Sequence, residues 1–293
     1  MSTTITIPFC RFLANGIAAW LVAALCLLLP AVVGAADYYV SSSGNDANAG
    51  TSTSAPWKTV GKVNGTTFYS GDTVSFLGGD VFTDAALIPK SSGTAVTPIV
   101  FGSYGTGKAT LQAPSGRHGI EVTSKTGVTV RDFIVIGPGL VASDATPKNG
   151  VSLSSVTDVR IERIDVSYFY RGISITSSSR RLIIDGCHAH HNVSEGIWSL
   201  GGGNPGLSHL DMQVLNCEVS YNLGDPTLTG DVHSGSGMLF GHLGNGLIDR
   251  CYAHHNGGGT NDTTPNGPCG IWLYYCTGTT IQRSLVHDQM SEP

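Results

Sequence analysis

The chain contains the same seven-residue phrase three times, as Gly186-Cys187-His188-Ala189-His190-His191-Asn192, Asn216-Cys217-Glu218-Val219-Ser220-Tyr221-Asn222 and Arg250-Cys251-Tyr252-Ala253-His254-His255-Asn256. In each copy the Cys precedes the Asn by five positions. A Gly followed by alternating apolar residues stands before each copy, as in Gly172-Ile173-Ser174-Ile175. Self-similarity of this kind is the signature of a solenoid, in which each repeat forms one coil.

The strand-opening Gly shows where successive coils begin. It recurs at Gly119, Gly150, Gly172, Gly196, Gly237 and Gly270. Short alternating strands without a helical period fit a coil of roughly 22 residues, in which equivalent strands of successive coils pair about 4.8 Å apart. We therefore predict an all-β fold, a single-stranded right-handed parallel β-helix, with legible coils from Gly119 to His287.

The last residue of the phrase predicts a ladder inside this solenoid. Asn192, Asn222 and Asn256 should stack in one turn, because Asn tolerates a left-handed backbone and its amide can bond the Asn above and below. The Cys of each copy is interpreted as a small buried core residue. Five cysteines remain after residue 36, an odd number, and the repeat cysteines have no Cys-x-x-Cys pairing, so neither a full disulfide framework nor a zinc site is expected.

The first 36 residues predict export. Residues 17–36 form an apolar run that ends in Gly34-Ala35-Ala36, and Arg11 is the only charged side chain before it. This pattern is typical of a signal peptide cut near Ala35 or Ala36. A retained membrane anchor is the alternative, which Pro30 and the small-residue exit disfavour. We expect a secreted or periplasmic protein without membrane attachment after cleavage.

Composition excludes several classes of partner. The 293 residues carry a formal net charge of -5, and only 13% of them are charged, which excludes a basic nucleic-acid binder and a highly charged disordered chain. We expect a monomer. Residues 37–118 should form an N-terminal cap and the first coils, and residues 119–293 the repeats. Because no capping segment follows the strand at 284–287, we expect either a truncated chain or an open end that a partner buries, and we favour truncation.

A short helix and a few strands are predicted in the N-terminal part. Trp57, Val60 and Val63 recur at helical spacing, and a helix there could cover the open end of the solenoid. The strand candidates after it are residues 73–76, 86–88, 99–101 and 109–111.

One face of the solenoid is predicted to bind a ligand. In the strand after each Gly the first and third residues should point inward and the one between them outward. The outward row is Glu121, Ser152, Ser174, Trp198, Leu239 and Trp272. Exposed indoles suit the apolar face of a sugar ring, so Trp198, Trp272 and the neighbouring Tyr274 are the candidate substrate-binding residues. The alternative is that long loops fold back and cover both indoles.

Long insertions should build a wall beside this row. Residues 137–149, 223–236 and 257–269 all enter the same edge of the strand face, as variable segments of solenoids do. The polar side chains that the register brings to the wall are Asp144, Lys148, Arg171, Glu195, Asp225, Asp231, His233 and Asp262. The pairs Lys148-Asn149, Tyr170-Arg171 and Ser194-Glu195 fall at matching positions in successive coils, so Lys148, Arg171 and Glu195 could be neighbours.

These side chains allow two reactions. β-Elimination on a uronic-acid polymer needs a base, for which Lys148 or His233 is the candidate, and a positive group or metal on the carboxylate. Arg171 could hold that carboxylate; Ca²⁺ is the candidate metal, and no organic cofactor is expected. Hydrolysis needs two carboxylates, which Glu195 and Asp231 could supply. The alternative for each residue is a solvated loop charge or a ladder salt bridge.

The repeated histidines are interpreted as surface ladder residues. His190, His254 and His287 share one repeat position, with Ser220 between the first two, so one metal could not bridge His190 and His254. Asp231-Val232-His233 is the better candidate for a metal or catalytic role, although one Asp-x-His is a weak signal.

The mature chain resembles the secreted bacterial right-handed β-helix proteins of the pectate-lyase-like superfamily. The stretches that carry the resemblance are Tyr38-Tyr39-Val40-Ser41-Ser42-Ser43-Gly44-Asn45-Asp46, Pro56-Trp57-Lys58-Thr59-Val60, Gly71-Asp72-Thr73-Val74, Ile99-Val100-Phe101-Gly102-Ser103-Tyr104-Gly105 and the coils after Gly119. The resemblance implies the processing of extracellular polysaccharides by lyases, glycosidases or epimerases.

The reaction-specific motifs of that superfamily are replaced in this chain. Asp225-Pro226-Thr227 stands where mannuronan epimerases have Asp-Pro-His, and Leu247-Ile248-Asp249-Arg250 is the nearest string to the Trp-Ile-Asp-His of pectate lyases. We expect an extracellular polysaccharide as partner, with lyase chemistry first and glycoside hydrolysis second. A non-catalytic binding or adhesion module is the competing hypothesis, since the same solenoid would serve it.

Overall fold

The computed structural model describes residues 34–139, 148–200, 208–228, 234–259 and 268–289. The predicted signal peptide lies outside them up to residue 33. Within the described residues, no helix has the length and apolar character that a membrane span needs. Residues 35–293 form one compact unit.

Short strands make up nearly all regular structure in the described residues. The first are β1 (Asp37–Val40), β2 (Thr73–Leu77), β3 (Val81–Phe82), β4 (Ile99–Tyr104), β5 (Ala109–Gln112), β6 (Ile120–Thr123), β7 (Thr126–Arg131) and β8 (Phe133–Ile136). The next are β9 (Asn149–Ser154), β10 (Thr157–Glu162), β11 (Asp165–Ser167), β12 (Arg171–Thr176), β13 (Ser179–Arg180), β14 (Ile183–Asp185), β15 (His188–His190), β16 (Ile197–Leu200), β17 (His209–Leu210) and β18 (Gln213–Leu215). The last are β19 (Glu218–Ser220), β20 (Met238–Gly241), β21 (Leu243–Gly244), β22 (Leu247–Asp249), β23 (Tyr252–His254), β24 (Ile271–Tyr274), β25 (Thr280–Gln282) and β26 (Leu285–His287).

The strands pair in parallel with their equivalents one coil away and form three sheets. The first sheet runs β1-β2-β4-β7-β10-β14-β18-β22-β25, with β13, β17 and β21 beside it. The second runs β3-β5-β8-β11-β15-β19-β23-β26, and the third runs β6-β9-β12-β16-β20-β24. Each complete coil therefore contributes to all three sheets, and the predicted parallel β-helix is confirmed.

The predicted helix is present but shorter than its apolar pattern. Helix α1 (Val60–Gly65) begins after Thr59, whose hydroxyl accepts a hydrogen bond from the Lys62 amide at 3.0 Å. Trp57 precedes it, forms a β-bridge with Val40 and stacks on Tyr38 with ring centroids 4.9 Å apart. Val60, Val63 and Trp57 are all buried in the core.

The interior is filled by the alternate residues of each strand. Ile173, Ile175, Met238 and Phe240 are fully buried, as the predicted inward pattern requires. The strand predictions at 73–76, 99–101 and 109–111 are confirmed by β2, β4 and β5. The prediction at 86–88 is wrong, because only Leu87 makes a β-bridge there, to Ile120.

The repeat cysteines are core residues, as expected. Cys187, Cys217 and Cys251 are buried thiols at equivalent positions of successive coils. The backbone confirms the stack, because the Glu218 amide donates to the Cys187 carbonyl at 2.9 Å and the Tyr252 amide to the Cys217 carbonyl at 2.8 Å.

The Asn ladder is confirmed, but its backbone was predicted wrongly. The Asn192 amide nitrogen Nδ2 donates to Asn222 Oδ1, and Asn222 Nδ2 to Asn256 Oδ1, both at 2.9 Å. The left-handed residue is the one before each Asn: His191, Tyr221 and His255 have φ of 52°, 54° and 54°. The Asn side chain therefore supports the corner without adopting its strained backbone.

We predict that Asn222→Ala destabilises the fold. The Asn222 side chain is fully buried, accepts hydrogen bonds from Asn192 and donates to Asn256 and to the Ala189 carbonyl at 3.1 Å. The substitution leaves the partner groups of Asn192, Asn256 and Ala189 buried without these hydrogen bonds, which should lower the free energy of unfolding by about 3 kcal/mol. Urea denaturation measures it, with the exposed Gln213→Ala as control, expected within about 0.5 kcal/mol of the parent. Equal losses in both variants would contradict a ladder that supports the coil.

Candidate functional site

The outer face of the third sheet carries the predicted row in register. Ser152 pairs with Glu121 and Ser174, Trp198 pairs with Ser174 and Leu239, and Trp272 pairs with Leu239. The two indoles therefore stand two coils apart on one face. Trp198 and Trp272 are partly exposed, whereas Ser174 and Leu239 of the same row are buried, so only part of the predicted outward row is open to solvent.

Aromatic side chains line a depression on this face, which we call the aromatic platform. It is bounded by Trp198, Leu239, Trp272, Tyr274 and Tyr275 and has a volume of about 520 Å³. The Trp272 and Tyr274 rings lie 5.7 Å apart between centroids. Tyr274 crosses the chain at Gly241, where a Cβ would come within 2.2 Å of its ring, so only a Gly at 241 admits this ring position.

A buried ion pair stands at one edge of the platform. Arg171 Nε donates to Glu195 Oε2 at 2.5 Å, and the Ser194 hydroxyl donates to the same oxygen at 2.8 Å. The Glu195 side chain is only 1% exposed and that of Arg171 is 21% exposed. The guanidinium carbon of Arg171 also lies 4.0 Å from the Trp198 ring centroid, so this cation fixes the first indole of the platform.

The predicted register of the wall residues is confirmed for its described members. Arg171 pairs with Asn149, the Tyr170 amide donates to the Lys148 carbonyl at 2.9 Å, and the Ser194 amide donates to the Tyr170 carbonyl at 2.7 Å. The structure brings Arg171 and Glu195 into contact. Burial lowers the pKa of His118, an effect that the Glu121 carboxylate opposes and the Lys148 cation reinforces.

A second buried carboxylate lies near Glu195. Asp225 is 4% exposed and accepts hydrogen bonds from the Thr227 amide at 2.9 Å and hydroxyl at 2.6 Å. Its own amide donates to the Ser234 hydroxyl at 2.7 Å, which lies 3.4 Å from the Ser194 hydroxyl. Sequence reasoning placed Asp225 on the wall but gave it no role, because a sequence does not show which wall residues are buried.

The carboxylates of Asp225 and Glu195 both affect the pKa of the Tyr170 phenol. Burial raises the pKa of Tyr170, the Arg171 cation opposes that shift, and the Asp225 and Glu195 carboxylates add to it. Burial likewise raises the pKa of Tyr274, with smaller effects of Cys276, Glu195 and Arg171. Both phenols therefore stay protonated near neutral pH, and that of Tyr274, which lines the platform, can donate a hydrogen bond to a ligand.

Four predicted wall residues lie outside the described residues. They are Asp144, Asp231, His233 and Asp262. The pairing of Glu195 with Asp231, the candidate base His233 and the weak Asp-x-His signal therefore stay predictions, as does Ca²⁺. The long segments that carry these residues do leave the coil at the predicted corner, between the second and third sheets.

Comparison with known proteins gives one partial match in sequence. The lacto-N-biosidase of Bifidobacterium longum subsp. longum is 47% identical over 72 residues, which are 23% of this chain and 4% of that protein. The chain thus matches a small part of a much longer relative.

Solved structures match over most of the chain. The GH136 lacto-N-biosidase from Eubacterium ramulus superposes with a TM-score of 0.66 at 16% identity, covering 86% of this chain and 56% of that one. A rhamnogalacturonan lyase superposes with a TM-score of 0.64 at 16% identity, covering 87% and 69%. At these identities the similarity shows a shared fold.

The family itself is decided by sequence. The model described as "Right handed beta helix region" matches residues 115–291, which is more than half of the chain. The parallel three-sheet coils of the structure agree with that match. The chain therefore belongs to the right-handed β-helix family, as its repeated phrase predicted.

Proposed function

We propose that this chain is part of a glycoside hydrolase that binds an extracellular glycan along the aromatic platform. The observation that carries the proposal is the pair of indoles, Trp198 and Trp272, two coils apart on one face with Tyr274 beside them. Export directed by residues 1–36 is part of the same proposal, because it would bring the platform to such a glycan.

The spacing of the indoles suits an oligosaccharide. Two coil steps separate them by about 10 Å along the solenoid axis. Each ring can cover the apolar face of one sugar, while the protonated phenol of Tyr274, which lines the platform, offers a donor to its hydroxyl groups. The platform is predominantly apolar, which favours a neutral glycan over a polyanion.

Hydrolysis is favoured over β-elimination, the reverse of the order expected from the sequence. An elimination site needs a cation for the uronate carboxylate. Arg171, the candidate for that task, is held by Glu195 and stacked on Trp198. The sequence match to a lacto-N-biosidase supports the same preference.

The buried ion pair has a positioning role in this proposal. Glu195 is nearly inaccessible, so it acts through Arg171 on Trp198 rather than on the sugar. Asp231 then remains the predicted catalytic carboxylate, because Asp225, at 4% exposed, is buried as Glu195 is.

The test is a product assay on residues 37–293. A chromogenic lacto-N-bioside, neutral oligosaccharides and uronans are incubated with and without Ca²⁺, and reducing ends are followed together with ultraviolet absorbance. We expect new reducing ends without ultraviolet absorbance, because hydrolysis leaves no unsaturated sugar. Ultraviolet absorbance produced from a uronan would instead identify the protein as a lyase. Binding of a glycan without either product from a folded sample would identify a binding module.

Trp272→Ala should weaken glycan binding with little effect on turnover. Loss of one ring contact of about 1.4 kcal/mol corresponds to a tenfold higher KM. Kinetics on the substrate found above, or gel-shift affinity for a bound glycan, measures it. Tyr69→Ala removes an aromatic side chain that is 57% exposed elsewhere and is the matched control. An equal change in both variants would show that the platform does not bind the substrate.

Glu195→Gln and Asp231→Asn should separate positioning from catalysis. The Gln keeps an acceptor for Arg171, so we expect kcat to fall by less than about tenfold and KM to rise as Trp198 loosens. Asp231→Asn should lower kcat by about 10²–10⁴-fold, the range for loss of an acid or base. If Glu195→Gln has the larger effect on kcat, Glu195 is itself the catalytic carboxylate.

A further inference from the structure

A second cluster of reactive side chains lies on the outer face of the second sheet. His188 and His190 are the outer residues of β15 and flank the fully buried Ala189. Their rings stack with centroids 4.2 Å apart at an angle of 26°. Asp165, on the preceding coil, pairs with His188, and its carboxylate lies close to a ring nitrogen of each His.

The distances in this cluster are close to those of a metal site. His190 Nε2 lies 3.0 Å from Asp165 Oδ1, and His188 Nδ1 lies 3.8 Å from Asp165 Oδ2. One ligand atom from each of the three residues lies within 4.8 Å of the others. Ligand atoms about 2.1 Å from a tetrahedral ion are roughly 3.4 Å apart, so small side-chain rotations complete the geometry.

Neighbouring groups hold both rings. His190 Nδ1 lies 2.7 Å from His191 Nδ1, so the nitrogen that faces away from Asp165 has a hydrogen-bond partner. His188 Nε2 lies 3.0 Å from the Ser220 hydroxyl of the next coil. Such outer contacts fix ring orientation and tautomer in metal sites. All three side chains remain partly exposed, at 37%, 35% and 19% for Asp165, His188 and His190, so an ion can enter from solvent.

We propose that Asp165, His188 and His190 bind one divalent transition-metal ion, with Zn²⁺ as its representative. Two imidazoles and one carboxylate suit such ions better than Ca²⁺ or Mg²⁺, which take oxygen ligands. The ion would tie β11 to β15 and so clasp two successive coils. It lies on a different sheet from the aromatic platform, and the inference is independent of the proposed function.

Glu218 lies two coils after Asp165, and the residues around it form an internal control. Glu218 pairs with Tyr252 as Asp165 pairs with His188, and His254 Nε2 lies 3.1 Å from Glu218 Oε1. The Tyr252 and His254 rings lie 4.5 Å apart, so the packing of the face is preserved. Tyr252 replaces one imidazole ligand, and we therefore expect no comparable affinity there.

Isothermal titration of the metal-free chain with Zn²⁺ tests the proposal. We expect one ion per chain, with His188→Tyr weakening binding by at least about tenfold, since even outer-shell partners contribute 10–100-fold. His188→Tyr copies the arrangement at Tyr252 and should fold normally, as its unchanged melting temperature without metal would show. His190→Gln should weaken binding equally, and His254→Gln should leave it unchanged.

Three results would overturn the proposal. They are absence of Zn²⁺ binding by the folded chain, equal loss in His254→Gln and His188→Tyr, and Ca²⁺ binding as tight as Zn²⁺ that depends on the same residues. A rise in melting temperature with Zn²⁺ that His188→Tyr abolishes would support the clasp between coils.

Discussion

The hydrogen bond from a backbone amide to the Asn of the next coil closes the corner between the second and third sheets. Phe169 N donates to Asn192 Oδ1 at 3.1 Å, and Asn192 N donates to Asn222 Oδ1 at 3.2 Å. Each of these amides follows a left-handed residue, where the strand ladder has ended. A buried backbone amide without a hydrogen-bond partner destabilises the fold by more than one surface contact stabilises it. An Asn is therefore required at this position in each of these coils.

The same corner explains an unusual run of residues with positive φ. Tyr168, His191, Tyr221 and His255 all have φ between 52° and 64°, a conformation that costs non-glycine residues about 1–2 kcal/mol each. Their rings stack from coil to coil, at 5.2 Å between His191 and Tyr221 and 5.0 Å between Tyr221 and His255. Stacking and the Asn ladder together offset the strain, which a single turn of this shape could not do alone.

Periodic features of the structure could be predicted from the sequence because they repeat. The inward Ile173 and Ile175, the outward Trp198 and Trp272, and the Asn ladder all follow from the coil register. Features that depend on the orientation of one side chain could not be predicted from the sequence. The burial of Glu195 depends on which way Arg171 turns, and the His188–Asp165 contact joins residues of two coils whose lengths differ. His188 and His190 lie on the same strand, β15, which a comparison of one His position per coil does not reveal.

A solenoid places chemistry by columns, and one substitution in a column changes what a coil can do. Asp165, His188 and His190 differ from Glu218, Tyr252 and His254 chiefly by one imidazole, although backbone pairing is the same in both places. On the third sheet, Ser174, Trp198 and Leu239 occupy one column, yet only the indole of Trp198 meets the Arg171 cation. Since the ladder fixes the backbone whatever the outward residue is, these columns can vary without loss of fold, and both sites proposed for this chain lie in them.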